Sequence, residues 1–183
     1  MSEKEIPTID TEVSGDEIAL NKVVTFHYRL REVDEEGNYS DLMEESYGHE
    51  PLYYLHGFHN VIIGLERELE GKKPGDAVEV ILDPLDAYGV RVEKALLRVP
   101  IKHLMIPPGT KKIVAGTFAT VETNEGRRNV TVVKAGKFNA DVDFNHPYAG
   151  KTLYYQIEVV TVRDATQEEI DHGHVHGPGG HKH

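Results

Sequence analysis

The stretch PLYYLHGFHNVIIGLERELEGKKPGD, residues 51–76, passes from a strand to a helix and then to a turn. Leu52 to Leu55 form a short run of apolar and aromatic residues, which is typical of a strand. The loop HGFHN follows, and Asn60 is placed to cap a helix. Apolar residues then recur at helical spacing until a glycine and a proline end the helix. These are Val61, Ile62, Leu65 and Leu69, followed by Gly71 and Pro74.

Three stretches around this segment alternate between apolar and polar residues, as half-buried strands do. They are KVVTFHYRL (22–30), DAVEVIL (76–82) and KTLYYQIEVVTVR (151–163). The predicted buried faces are Val24, Phe26, Tyr28 and Leu30; Val78, Val80 and Leu82; and Leu153, Tyr155, Ile157 and Val159. One short helix among several strands predicts an α+β fold with a mostly antiparallel sheet.

Residues 90–145 differ in sequence pattern from the segments on either side. They predict β-hairpins around turns at 124–126 and 135–137. At the start of this region, LLRVPIKHLMIPPG (96–109) combines prolines with many large apolar side chains. These side chains either form the core of a small domain or line an exposed groove with a methionine at its edge. They are Leu96, Leu97, Ile101, Leu104, Met105 and Ile106.

Composition narrows the function classes. The net charge is −11, which disfavours nucleic acid and anionic membranes as partners, and the absence of cysteine excludes disulfides and thiolate chemistry. No apolar run approaches the roughly 20 residues of a membrane span, and no nucleophile elbow or phosphate-binding loop occurs. Residues 1–17 predict a loosely ordered acidic arm without signal-peptide features. We therefore expect a cytoplasmic protein, with a monomer as the default.

The C-terminal stretch DHGHVHGPGGHKH (171–183) follows a short predicted helix that begins at a Thr166–Glu169 capping box and ends at Gly173. The stretch admits three interpretations: a purification tag, a solvated tail or a metal site. Neutral imidazoles suit Ni²⁺, Cu²⁺ and Zn²⁺, and several on one segment form a chelate. The candidate ligands are His172, His174, His176, His181 and His183.

Two of these stretches together resemble a known family. PLYYLHGFHNVIIGLERELEGKKPGD followed by DPLDAYG (83–89) is similar to the signature of FKBP-type peptidyl-prolyl isomerases. The insert before HPYAGKTLYYQIEVV (146–160) and the motif EEIDHGHVHG (168–177) resemble the SlyD branch. The resemblance covers about residues 18–176. It implies an FKBP-like antiparallel sheet wrapped on a short helix (18–89 and 144–165), a β-rich insert-in-flap chaperone domain (90–143), and a short helix with a His-rich metal-binding tail (166–183).

The resemblance also implies a catalytic pocket. Its members are Tyr28, Met43, Glu44, Leu52, Val61, Ile62, Leu65, Tyr88 and Tyr155. Four of them depart from the usual pattern of the family: Met43 and Leu52 replace aromatic residues, Leu65 replaces a tryptophan, and Glu44 replaces an aspartate. The extra methylene of Glu44 shifts its carboxylate, so the resemblance assigns it no firm role.

The resemblance implies that the chain isomerises Xaa-Pro bonds in unfolded, proline-containing polypeptides without a cofactor, and that the tail holds a divalent metal ion. Two alternatives stay open. A holdase chaperone with little isomerase activity would suppress aggregation without accelerating proline-limited folding. A nickel- or zinc-handling protein would bind metal tightly, and changes in its pocket would have little consequence.

Overall fold

A computed structural model describes residues 16–176. The chain divides into two compact units. The first extends up to Leu82 and resumes at Leu153, and the second comprises Asp83–Thr152. The strands, in chain order, are β1 Lys22–Val33, β2 Glu44–Glu45, β3 Leu52–Leu55, β4 Ala77–Leu82, β5 Leu96–Pro100, β6 Leu104–Met105, β7 Phe118–Thr123, β8 Gly126–Ala135, β9 Asn139–Asp143 and β10 Thr152–Asp164. The helices are α1 Ile63–Leu69 and α2 Gln167–His172, with short 3₁₀ turns at Pro84–Asp86, Glu93–Ala95 and Ile101–His103.

The first unit contains a five-stranded, mostly antiparallel sheet in the order β2-β1-β10-β4, with β3 also paired to β1. The α+β class is therefore confirmed. The predicted alternation is confirmed too, because the even-numbered side chains of β1 from Val24 to Leu30 are all buried. Thr25 is buried as well, so this strand is covered on both faces near its start. On β10, the odd-numbered residues from Leu153 to Val159 are buried as predicted.

The start of α1 corrects the sequence interpretation. The helix begins at Ile63 rather than directly after Asn60, and no side chain caps it. The Asn60 amide is used elsewhere, because its Oδ1 accepts from the backbone N–H of Leu55 and its Nδ2 donates to the carbonyl of Gly173 at 2.9 Å. Asn60 thus ties the loop to the end of α2 and is not available as a helix cap. Val61 and Ile62 consequently precede the helix.

The second unit is a separate five-stranded sheet in the order β5-β9-β8-β7-β6. Its hairpins turn where the sequence predicts, between β7 and β8 and between β8 and β9. Its core consists mostly of small and β-branched side chains. The buried members are Leu104, Ala119, Val121, Val130, Val132, Ala140 and Val142.

The short helix α2 confirms the predicted capping. The Thr166 hydroxyl accepts from the backbone N–H of Glu169, and the Glu169 carboxylate accepts from that of Thr166. Gly173 ends the helix with φ 70°, a left-handed conformation that glycine adopts at little cost. Within residues 16–176, no helix is long and apolar enough to cross a membrane.

Candidate active site

Two tyrosines of the predicted pocket lie side by side on neighbouring strands of the first sheet. The rings of Tyr28 on β1 and Tyr155 on β10 have centroids 6.1 Å apart, and both residues are buried. Phe26 lies 6.1 Å from Tyr28 and meets Tyr54 edge-on at 5.7 Å. Such offset and edge-on arrangements suit the quadrupoles of aromatic rings. The sheet thus presents an aromatic, largely apolar surface around Tyr28.

The hydroxyl of Tyr28 is turned to the one acidic residue predicted for the site. It donates a hydrogen bond to Oε1 of Glu44. The backbone of Tyr28 is held at the same point, because its N–H donates to Ser46 Oγ at 2.9 Å and its carbonyl accepts from the Ser46 N–H. Glu44 is exposed. A charged acceptor on a tyrosine hydroxyl strengthens that hydrogen bond and fixes the orientation of the ring.

The other predicted residues of the first unit are apolar and differ in burial. Leu65 on α1 is buried, at 4% exposure. Met43 and Leu52 are half-buried. The Met43 N–H donates to the carbonyl of Leu30, and Leu52 lies opposite Phe26 in the β1–β3 register. Val61 and Ile62, before α1, are also half-buried.

Tyr88 belongs to the second unit, in the turn after the 3₁₀ segment Pro84–Asp86. Its ring stacks on the imidazole of His146, with centroids 4.1 Å apart and planes 10° apart. Tyr148 meets the Tyr88 ring edge-on at 5.6 Å. The ring of Tyr88 is thus oriented by two aromatic neighbours from the segment before β10.

Sequence reasoning did not predict a polar network that joins Tyr54, buried His56 and exposed Glu70. The Tyr54 hydroxyl and His56 Nδ1 share a hydrogen bond of 3.0 Å, and His56 Nε2 hydrogen-bonds to the Glu70 carboxylate. Burial raises the pKa of Tyr54, and the nearby carboxylates of Glu66 and Glu70 add to this shift. His56 is therefore a buried structural histidine that ties β3 to the end of α1. Its partner Glu70 is fourteen residues away in the sequence, so the loop motif alone does not reveal this contact.

The six apolar residues considered for a groove separate into two groups. Leu104 belongs to the core of the second unit, and Ile101 and Ile106 pack against that core. Leu96 and Leu97 on β5 are about half exposed, at 48% and 51%, and Met105 on β6 is exposed too. The second group presents apolar surface to solvent at the two edge strands of the sheet.

Three of the five tail histidines come together at the C-terminal end of α2. The ligand atoms of His172, His174 and His176 lie within 4.8 Å of one another, and all three residues are exposed. His172 Nδ1 and His176 Nε2 are hydrogen-bonded at 2.8 Å. Imidazoles so close together match the ligand preference of Ni²⁺, Cu²⁺ and Zn²⁺. The predicted ligands His181 and His183 lie outside the described residues.

Glu169 organises the backbone that carries this cluster. Its carboxylate pairs with both terminal nitrogens of Arg163, at 2.8 and 3.0 Å, and accepts from the backbone N–H of His176. The hydrogen bonds from Arg163 lower the pKa of Glu169 to about 2 against the opposing effect of burial. The buried carboxylate thus joins β10, α2 and the histidine segment.

Comparisons with known proteins connect these features to a family. No family model matches the chain. Curated relatives do match, and the three that follow are each named FKBP-type peptidyl-prolyl cis-trans isomerase SlyD. The protein of Aeromonas hydrophila is 42% identical over 163 residues, which cover 89% of this chain and 73% of the relative. That of Pasteurella multocida is 39% identical, covering 89% and 78%. That of Escherichia coli K12 is 38% identical, covering 87% and 78%.

Proposed function

The chain belongs to the SlyD family of FKBP-type peptidyl-prolyl cis-trans isomerases, and on this basis we propose that it isomerises Xaa-Pro bonds in unfolded polypeptides. It is an enzyme of the isomerase class. The observation that carries the proposal is the 42% identity over 89% of the chain. The buried pair of Tyr28 and Tyr155, with Glu44 on the Tyr28 hydroxyl, supports it from the structure.

The chemistry suits an apolar site without a cofactor. Rotation about a peptide bond costs about 18–20 kcal/mol because it breaks amide resonance. The twisted amide is less polar than the planar one, so an environment of aromatic and aliphatic side chains stabilises the twisted state relative to the solvated planar state. No nucleophile or general base takes part. We propose the catalytic set Tyr28, Met43, Glu44, Leu52, Val61, Ile62, Leu65, Tyr88 and Tyr155.

Within this set, we assign the hydroxyls and the apolar side chains different roles. The family resemblance gives the Tyr88 hydroxyl the role of donor to a peptide carbonyl. Stacking on His146 limits the rotation of that ring, which supports a fixed donor. The carboxylate of Glu44 orients Tyr28 through its hydroxyl and, in our proposal, does not contact the reacting amide.

We propose in addition that residues 90–143 form an insert-in-flap domain that captures unfolded chains, flanked by an isomerase domain at 18–89 and 144–165. Exposed Leu96 and Leu97 on one edge strand and Met105 on the other support this, because apolar side chains left exposed on a folded unit are available for contacts with other chains. Capture would raise the local concentration of proline-containing segments. The half-buried, non-aromatic Met43 and Leu52 favour a second candidate, a holdase with little isomerase activity.

We further propose that the tail is a metal site, with His172, His174 and His176 as its nearest ligands and His181 and His183 as further ones. The clustering of three imidazoles supports this. Binding of Ni²⁺, Zn²⁺ or Cu²⁺ would replace the hydrogen bond between His172 and His176 by metal–nitrogen bonds. We propose that the chain assists protein folding in the cytoplasm and that its metal site is separate from its catalytic site.

The isomerase proposal is tested by refolding a substrate protein whose folding is limited by a proline bond. The uncatalysed step takes tens of seconds, so catalysis by a sub-stoichiometric amount of the chain is readily measured. We expect acceleration by the wild type, about tenfold less by Tyr88→Phe, and wild-type acceleration by Tyr53→Phe, which changes an exposed tyrosine outside the set. Suppressed aggregation without any acceleration would establish the holdase instead.

A further inference from the structure

The two units carry opposite net charge. Residues 83–152 contain eleven Lys and Arg against seven Asp and Glu, a formal charge of +4. The rest of the chain contains nine against twenty-four, a formal charge of −15, and together these give the −11 of the whole. A local excess of positive charge within an acidic chain attracts small anionic groups to that region in particular.

One groove of the second unit concentrates this charge beside aromatic rings. It is an open groove of about 700 Å³ along β7 and β8. We call it the Arg–Phe groove, after Arg127, Arg128, Phe118 and Phe144, which line it together with Pro107 and Pro147. Among the described residues that line it, none is Asp or Glu. Phe118 is 61% exposed, so the groove presents a large apolar ring to solvent.

The groove places positively charged groups next to aromatic rings, an arrangement that suits a ligand with both an anionic group and apolar side chains. The guanidinium of Arg128 lies over the Phe144 ring at 5.4 Å, which holds the cation in place by a cation–π contact. Arg127 has Glu122 directly opposite in the β7–β8 register, so its charge is partly balanced. The Thr120 hydroxyl donates to Asn129 Oδ1 across the two strands, so this hydrogen bond does not use the NH₂ group of Asn129, which also lines the groove. Arg128 is therefore the main anchor for a carboxylate.

We propose that the Arg–Phe groove selects extended client segments in which Asp or Glu flanks aromatic or aliphatic side chains. Guanidinium groups bind carboxylates through two parallel hydrogen bonds, and the phenylalanine rings accept the neighbouring apolar side chains. The net charge of −11 on the chain as a whole disfavours long polyanions, whereas a segment with one or two carboxylates adds little repulsion. The inference rests on the proposed capture of unfolded chains and names the class of segment captured.

The test uses three fluorescein-labelled peptides of twelve residues without proline, identical except that two positions flanking a pair of phenylalanines are Glu, Gln or Lys. Binding to the full chain is measured by fluorescence anisotropy. We expect the Glu peptide to bind about fivefold tighter than the Gln peptide, as one partly exposed ion pair allows, and the Lys peptide to bind weakest. The difference should shrink at high salt because exposed charges are screened.

Two variants form a matched pair. Arg128→Ala and Lys137→Ala each remove a cation that lies over a phenylalanine ring in the second unit, since Lys137 lies 5.2 Å above Phe138. Of these two cations, Arg128 lines the Arg–Phe groove and Lys137 does not. We expect Arg128→Ala to abolish the preference for Glu over Gln and Lys137→Ala to keep it. Equal losses in both variants would show a general charge effect and overturn the assignment to the groove. Circular dichroism and thermal unfolding establish that both variants fold.

The outcomes separate this inference from the proposed function. If the Gln and Glu peptides bind equally while refolding of proline-limited clients is still accelerated, the inference is wrong and the proposed function stands. If no peptide binds and no refolding is accelerated, the proposed function itself fails. A twelve-nucleotide oligo(dT) added as competitor tests the other anionic ligand, and displacement of the Glu peptide at lower concentration than unlabelled Glu peptide would overturn the proposal in favour of nucleic acid.

Discussion

The two units of the chain differ in the side chains that they bury completely. The first fully buries large aromatic and aliphatic side chains, and Phe26, Tyr54 and Leu55 are each at most 1% exposed. The second builds its core mainly from valine and alanine and leaves Phe118 and Phe138 exposed, at 61% and 72%. Large side chains that contribute little to the core of the second unit are available for contacts with other chains. The interior of the first unit, in contrast, contains Tyr28 and Tyr155 side by side on neighbouring strands.

Two identical substitutions, one in each unit, test this contrast with the largest expected effect. Leu65→Ala removes a buried side chain of α1, and we expect it to lower the free energy of unfolding by about 2–5 kcal/mol because it leaves a cavity. Leu97→Ala removes a side chain that is 51% exposed, and we expect a loss below about 0.5 kcal/mol. Urea unfolding followed by circular dichroism measures both. Similar losses would show that the second unit depends on Leu97 for its own packing.

Because the second unit is built on a core of small side chains, we expect its stability to depend more on hydrogen bonds and ion pairs than that of the first unit. Asp143 is buried and accepts from Arg91 at 2.6 Å and from the Asn145 backbone at 2.8 Å. Burial pushes the pKa of Asp143 upward, but these hydrogen bonds outweigh it and place the pKa below the ordinary 3.8. We expect Asp143→Asn to lower the free energy of unfolding of this unit by about 1–2 kcal/mol at neutral pH.

The pH dependence of that loss has a defined sign. Since the carboxyl group has a lower pKa in the folded chain than in the unfolded chain, its contribution is complete above pH 3.8 and disappears as the pH falls below that value. The wild type and Asp143→Asn should therefore converge in strong acid. Hydrogen exchange at the buried amides of Val130 and Val142 follows this unit directly. A constant difference at every pH would show that the ionised carboxylate is not the source.

In the first unit, the expected effect is on catalysis. Tyr28→Phe removes the hydrogen bond to Glu44, and we expect kcat/KM on a proline tetrapeptide to fall about fivefold, with stability nearly unchanged. Tyr47→Phe is the matched control, because it removes a tyrosine–glutamate hydrogen bond to Glu158 on the same sheet outside the proposed set. Equal losses in the two variants would contradict a specific role for Tyr28.

We expect removal of bound metal to have the smallest effect on isomerisation. Adding EDTA should leave the tetrapeptide rate of the wild type unchanged, since the proposed catalytic set contains no metal ligand. His174→Ala should weaken Ni²⁺ binding, measured by calorimetry, about tenfold or more. His103→Ala, which removes an exposed histidine of the second unit, should not. A loss of isomerase rate in EDTA would contradict the proposal that isomerisation is independent of metal binding.

Much of the first unit could be predicted from the sequence because period-2 alternation is unambiguous in β1 and β10, and the Thr166–Glu169 box is a local signal. The helix start could not, since the amide of Asn60 is engaged by Leu55 and Gly173, and Gly173 is distant in sequence. In the same way, residues 96–106 have no period, so nothing local distinguishes the buried Leu104 from the exposed Leu97.

The charge of the second unit was also hidden in the sequence total. A net charge of −11 argues against anionic partners for the chain as a whole, yet residues 83–152 carry +4. Arg127 and Arg128 are only a dipeptide, and their proximity to Phe118 and Phe144 depends on strand pairing and on a chain segment about sixteen residues away. Charge counted per compact unit would have been the signal.

The central claim is that one unit catalyses isomerisation and the other captures unfolded chains. Removing most of the second unit tests this claim most directly. We would compare the full chain with a version in which residues 90–143 are replaced by a short loop, on a proline tetrapeptide and on a proline-limited refolding protein. We expect equal rates on the tetrapeptide and a loss of about 100-fold on the protein, because the capture of unfolded chains is removed. An equal loss on both substrates, or no loss on the protein, would contradict it.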